Sequence, residues 1–123
     1  DLKKLNEGDS LIFNYILFDF DQSEIRQDAL PYLVQLKNYI KENPDLKFTI
    51  TAHTDSLGTN IYNEKLSKRR GLEVLNWFTN ENIEQEKIRV KSLGENLPIA
   101  DNKTEEGRQL NRRVEFRFYH RKK

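Results

Sequence analysis

Hydrophobic and polar positions change period several times along this 123-residue chain, and each change marks an expected element. Residues 1–10 are polar and read as the end of a linker. From Leu11 to Phe20, β-branched and aromatic residues dominate and predict a first strand. A polar loop spans Asp21 to Gln27, after which Leu30, Leu33, Leu36 and Ile40 recur at helical spacing. That stripe predicts a helix from Ala29 to Glu42, capped by Asp28, with Pro31 tolerated in its first turn and Asn43-Pro44-Asp45 ending it. Lys47 to His53 alternates with period two: Phe48, Ile50 and Ala52 point one way, and Thr49, Thr51 and His53 the other. A second helix is expected over Asn60 to Thr79, burying Leu66, Val74, Leu75 and Phe78. Ile88 to Ser92 reads as a third strand, Gly94 to Asn102 as a loop holding Pro98, and Thr104 to Leu110 as a short helical turn. In the last strand, Arg113 to Tyr119, Val114, Phe116 and Phe118 face in while Arg113, Glu115 and Arg117 face out.

The expected order is therefore β-α-β-α-β-β. Strands two and four each have one apolar and one polar face, so helices should cover only one side of the sheet. The fold class that follows is α/β, in the form of an α+β two-layer sandwich.

Composition narrows the function more than the fold. At this length the chain is a single domain with one modest core. A third of its residues are charged, yet 21 Lys and Arg nearly balance 20 Asp and Glu, for a net charge of +1. That balance argues against a dedicated nucleic-acid binder, which concentrates basic residues on one face. The basic tail His120-Arg-Lys-Lys123 reads as a solvated terminus. The absence of cysteine excludes a disulfide scaffold and little else. Leu11 to Phe20, the longest apolar-rich run, is too short to span a bilayer and is interrupted by Asn14 and Asp19. A chain that starts at Asp1 without an initiator methionine looks like a piece of a longer protein.

Candidate chemistry concentrates at one corner. On the second helix Arg70 falls within the apolar arc, four residues after Leu66 and four before Val74, with Asn63 on the same side. Lys65, Lys68, Arg69 and Glu73 occupy the opposite arc. An inward charge requires a partner, and here that partner is either Asp55, at the end of the second strand, or a ligand. An Asp55–Arg70 pair that merely anchors the helix to the loop is the structural alternative. A hydrolase would need a nucleophile beside a base, or a metal cluster. With two histidines and no cysteine, no three-ligand set for a catalytic metal is apparent, and no cofactor is implied. His53 reads as structural, its ring bonded to a neighbouring strand or loop. Gly58 and Gly71 form no phosphate loop, since no lysine follows in frame. The expected activity is recognition, not catalysis.

Four blocks carry a resemblance: Phe18-Asp-Phe-Asp21, Ala52-His-Thr-Asp55-Ser-Leu-Gly58, Asn63-Glu-Lys-Leu-Ser-Lys-Arg-Arg70-Gly71 and Gly107-Arg-Gln-Leu-Asn-Arg-Arg-Val-Glu115. In this order they closely resemble the OmpA-like (OmpA/MotB) family, the C-terminal periplasmic domain of outer-membrane proteins, peptidoglycan-associated lipoproteins and flagellar stator subunits. The likeness runs from about Ile12 to Phe118 and implies an OmpA-like domain over residues 11–123, with a four-stranded mixed sheet in the order 1-4-2-3. It also implies a ligand, the meso-diaminopimelate residue of peptidoglycan stem peptides, held through its free amino-acid end. By motif alignment the family's ligand-contacting aspartate and arginine fall on Asp55 and Arg70. Asn63 matches the asparagine lining the pocket, and Phe20, Asp21, Thr54, Leu57 and Gly58 match its rim. Arg113 matches the second arginine of the last-strand motif, in a structural or pocket-wall role. The residue types suit such a ligand. A strand end, a turn glycine and a helix N-terminus offer free N–H groups, Asp55 accepts from an ammonium, and Arg70 is a bidentate fork for a carboxylate.

Two positions depart from the pattern: Ala52 stands where glycine is usual, and Gly71 where alanine is usual. The glycine costs the helix about 1 kcal/mol relative to alanine. The resemblance implies a non-catalytic domain in the periplasm that tethers a larger, outer-membrane-associated protein to the cell wall. Contact with the membrane would come only through parts outside this chain, and other envelope proteins are possible further partners. Two alternatives stay open: the wall anchor of a stator or secretion machine, and a protein–protein adaptor that keeps the fold without the ligand.

Overall fold

The structure, a computed structural model, describes residues 10–15, 17–19, 22–55, 59–94 and 102–120. Its strands are β1 (Ser10–Tyr15), β2 (Leu46–His53), β3 (Ile88–Gly94) and β4 (Val114–His120). Its α-helices are α1 (Leu30–Glu42), α2 (Asn60–Asn80) and α3 (Glu105–Asn111). The sheet runs β1-β4-β2-β3, the order implied by the resemblance. β4 is antiparallel to both β1 and β2, and β2 is parallel to β3. β2 and β4 are thus the central strands, with Phe48 opposite Phe118 and Ile50 opposite Phe116.

The period-two pattern does what alternation predicts. Phe48, Ile50, Ala52, Val114, Phe116 and Phe118 are all essentially inaccessible to solvent. With Leu33, Leu36 and Ile40 of α1 and Val74 and Phe78 of α2 they make the core. Aromatic edges lock the two layers: Phe78 packs against Phe48 and Phe116, and Tyr39 packs edge-on to Phe118. Among the described helices, none is long and apolar enough to cross a membrane.

Four expectations need correction. The first strand ends at Tyr15, not Phe20; Leu17 and Phe18 are buried in the core but outside any strand. At the other end of that strand, Ser10 belongs to β1 and not to a linker, while residues 1–9 lie outside the described residues. Asp28 does not cap α1. It sits in a 3-10 turn (Gln27–Ala29) leading into the helix, and its carboxylate takes two hydrogen bonds from Arg26, at 3.0 and 2.7 Å. The turn already starts the helical path and the basic neighbour competes for the carboxylate. Finally, Leu75 on α2 is only half-buried, whereas Tyr39 on α1, absent from the expected stripe, is buried. The expected loop with Pro98 lies largely outside the described residues.

The two departures from the family pattern turn out to be neighbours. A Cβ added at Gly71 would meet Val90 Cγ1 of β3 at 2.8 Å and the Ala52 methyl of β2 at 3.9 Å. Glycine here lets α2 approach the sheet closely enough for the valine and alanine to fill the space, which gives the helix-weakening residue a packing reason.

Candidate functional site

β2 delivers a charged, buried corner at its C-terminal end. Beyond His53 the chain continues into Thr54 and Asp55, and re-enters the described structure at Thr59, whose hydroxyl accepts from Tyr62 N and caps α2. Asp55 is 3 % exposed, Asn63 1 % and Arg70 1 %, so the inward phase expected for Arg70 holds and its neighbour Arg69 is exposed. Asn63, Leu66, Ser67, Arg70 and Val74 form one buried stripe along α2, as spacings of three and four require. Asn63 Nδ2 and the Thr54 hydroxyl both donate to the Asp55 carbonyl, at 3.1 and 3.0 Å, and fix the turn between strand and helix.

The two charges are held by different partners. Arg70 Nε donates to the Gln22 carbonyl at 2.7 Å and Nη2 to the Asp19 carbonyl at 2.8 Å, while its guanidinium lies 5.1 Å from the centre of the Phe18 ring. Main-chain carbonyls can hold a buried guanidinium because each carries two lone pairs and the fork reaches two of them at once. Arg70 therefore clamps the segment after β1 at Asp19 and Gln22, the described residues that flank the expected rim positions Phe20 and Asp21 in sequence. Those two residues, like Leu57 and Gly58, lie outside the described residues.

The ion-pair partner of Asp55 is Arg112, whose Nη1 donates to Asp55 Oδ2 at 2.6 Å and whose Nη2 donates to Glu105 Oε1 at 2.7 Å. Burial works against the Arg112 charge, but its hydrogen bonds to both carboxylates outweigh it and raise its pKa. The same guanidinium draws the Glu105 carboxyl below its usual range. Sequence reasoning singled out Arg113 and missed Arg112. The signal was present: stepping the Val114, Phe116, Phe118 alternation back by two places Arg112 on the inward side. Arg113, expected in a structural or pocket-wall role, lines a groove with Thr49, Thr51 and His53 on the polar face of the sheet. His53 donates its main-chain N–H to the Arg113 carbonyl at 2.9 Å. Its ring Nδ1 has no hydrogen-bond partner among the described residues. No group of three metal-ligating side chains converges among the described residues.

Known proteins share the sequence pattern and the fold. The OmpA family pattern matches residues 17–112. Outer membrane porin F from Pseudomonas aeruginosa is 41 % identical over 101 residues, which is 81 % of this chain and 29 % of the porin. The chain thus spans under a third of that relative's length. Among solved structures, a MotB-like protein from Desulfovibrio vulgaris superposes with a TM-score of 0.80 at 25 % identity, covering 93 % of this chain and 75 % of the other. The peptidoglycan-associated lipoprotein from Burkholderia pseudomallei superposes with a TM-score of 0.79 at 27 % identity, covering 83 % and 86 %. With the fold and the sequence match in agreement, the chain belongs to the OmpA family.

Proposed function

We propose that this domain binds peptidoglycan without cleaving it, taking the diaminopimelate residue of the stem peptide, and so holds a larger outer-membrane-associated protein to the wall from the periplasm. The observation that carries the reading is the burial of three polar side chains, Asp55 at the end of β2 with Asn63 bonded to its carbonyl, and Arg70 further along the inward face of α2. A zwitterionic amino-acid end needs an acceptor for its ammonium and a donor fork for its carboxylate. A carboxylate has about four lone-pair sites, so Asp55 can take an ammonium beside Arg112. Arg70 supplies the fork, and its bonds to the Asp19 and Gln22 carbonyls tie α2 to the segment after β1. Thr54, with Leu57 and Gly58, completes the proposed rim. The peptidoglycan-associated lipoprotein among the structural neighbours supports the same reading.

The test is co-sedimentation with purified sacculi. Asp55→Asn keeps the side-chain shape and removes the charge, leaving Arg112 its second carboxylate, Glu105. It should remain folded by circular dichroism and bind sacculi at least about 30-fold more weakly, the low end of the range for breaking a desolvated charge contact, about 2–5 kcal/mol. The wild-type protein should release no soluble muropeptides. Undiminished binding by folded Asp55→Asn would overturn the site, and muropeptide release at stoichiometric protein would overturn the non-catalytic reading.

A further inference from the structure

The polar face of the sheet, turned away from α1 and α2, carries a second arrangement built from different residues. Thr49, Thr51 and His53 of β2 line a groove of about 300 Å³ together with Lys91 of β3, Arg113 immediately before β4, and Glu115 and Arg117 of β4. Register explains the grouping: Thr51 lies between Lys91 and Glu115, and Thr49 pairs with Arg117 on one side and Arg89 on the other. Three cations face one carboxylate, a surplus of two positive charges. Thr49, Thr51, His53 and Arg113 are each no more than 9 % exposed, an unusual depth for polar groups on the face without the helices.

His53 shows that the groove is built and not incidental. It is 4 % exposed and lines the groove, and its Nδ1 has no hydrogen-bond partner among the described residues. Burial first, and the Arg113 charge second, lower its pKa to about 4, so at neutral pH the ring is uncharged and offers one donor and one acceptor nitrogen. Burial also disfavours the charge on Arg113, an effect that Glu115 offsets in part and that an added anion would offset further.

We propose that this groove is an anion site for a phosphomonoester group, with Lys91, Arg113 and Arg117 as its cationic walls and the His53 ring as its floor. A tetrahedral phosphoryl group presents several acceptor oxygens in different directions, so cations on two strands can donate to it together, and its dianion matches the surplus charge. A planar carboxylate offers two oxygens in one plane and meets fewer of these donors. Glu115 limits the site to a compact anion by opposing further negative charge. The group can come from a soluble phosphate ester or from a lipid headgroup, and the chemistry at the groove is the same.

The experiment is a titration of the intact chain at pH 7.5, followed by the amide resonances of β2 and β4 and the ring resonances of His53. Inorganic phosphate is compared with chloride at equal ionic strength. Phosphate should shift Thr49, Thr51, His53 and Arg113 to Arg117 saturably, and chloride should not. Lys91→Gln/Arg117→Gln changes two exposed side chains and should weaken phosphate binding at least tenfold, while Arg69→Gln on α2 should bind as wild type. In a second arm, capture on phosphatidic acid vesicles but not phosphatidylcholine vesicles, lost in the double variant, assigns a lipid source. A phosphate response without vesicle capture assigns a soluble one. Equal shifts from chloride, or unchanged phosphate affinity in the double variant, would overturn the proposal.

Discussion

Replacing Arg70 with alanine should cost the domain much of its stability, quite apart from any ligand. The side chain is 1 % exposed and spends two N–H groups on the carbonyls of Gln22 and Asp19, 48 and 51 residues away in sequence, with its charge over Phe18. Hydrogen bonds to a charged group contribute about 1.5–3 kcal/mol each, and a desolvated cation–π contact about 1–2 kcal/mol. Release from the cost of burying the charge offsets part of this total, so a net loss of about 3–5 kcal/mol follows, the range seen when a buried charged contact is broken. Against a typical total of about 5–15 kcal/mol, Arg70→Ala should stay folded only marginally or partly unfold. Arg70→Lys keeps the charge, but a point-like ammonium cannot reach both carbonyls as the planar fork does, so it should lose less, about 1–3 kcal/mol. Urea unfolding followed by circular dichroism measures both, with the exposed Arg69→Ala as reference. An Arg70→Ala loss below about 1 kcal/mol would refute the clamp. Wall-binding assays on Arg70 variants therefore require a folded fraction measured in the same tube.

Gly71→Ala gains about 1 kcal/mol of helix propensity but drives a methyl to 2.8 Å from the stiff, β-branched Val90. Overpacking at about 1–3 kcal/mol should leave it neutral to destabilised, with Val90→Ala relieving the strain in a double-mutant cycle; additive effects would contradict the close-approach account. Because the folded His53 pKa of about 4 lies below its unfolded value of 6.5, the unfolded chain binds more protons between those limits. Stability should be full above pH 6.5, fall by about 3 kcal/mol as pH drops toward 4, and flatten below. The Arg113 charge acts on the ring, and the other charged groups that line the same groove are Glu115 and Arg117 on β4 and Lys91 on β3. His53→Gln should remove this part of the slope in denaturant melts at successive pH values; an unchanged slope would place the proton uptake elsewhere.

Period and alternation made most of the architecture legible. The β2 and β4 patterns identified the core-facing residues, and the wheel position of Arg70 identified an inward charge. What remained hidden depended on contacts between residues distant in sequence. No local pattern tells that Arg70 is satisfied by carbonyls near residue 20, since main-chain acceptors leave no mark on composition. Arg112 was visible in principle, through alternation extended past the strand, but its neighbour Arg113 matched the family motif equally well. The apolar run predicts too long a first strand because Leu17 and Phe18 are apolar for core packing and not for pairing. Ala52 and Gly71 read as two separate departures, and only their juxtaposition with Val90 explains the glycine.

The most direct test of the central claim is titration of the wild-type domain with three stem peptides, ending in meso-diaminopimelate, in its side-chain amide, and in lysine. All three can present an ammonium to Asp55, but only the first offers the planar carboxylate that Arg70 is proposed to read through parallel hydrogen bonds. Leaving a buried donor unsatisfied costs about 1–3 kcal/mol, so the diaminopimelate peptide should bind about 5- to 150-fold more tightly than either counterpart. Equal affinity for all three peptides would contradict recognition of diaminopimelate by the Asp55–Arg70 corner.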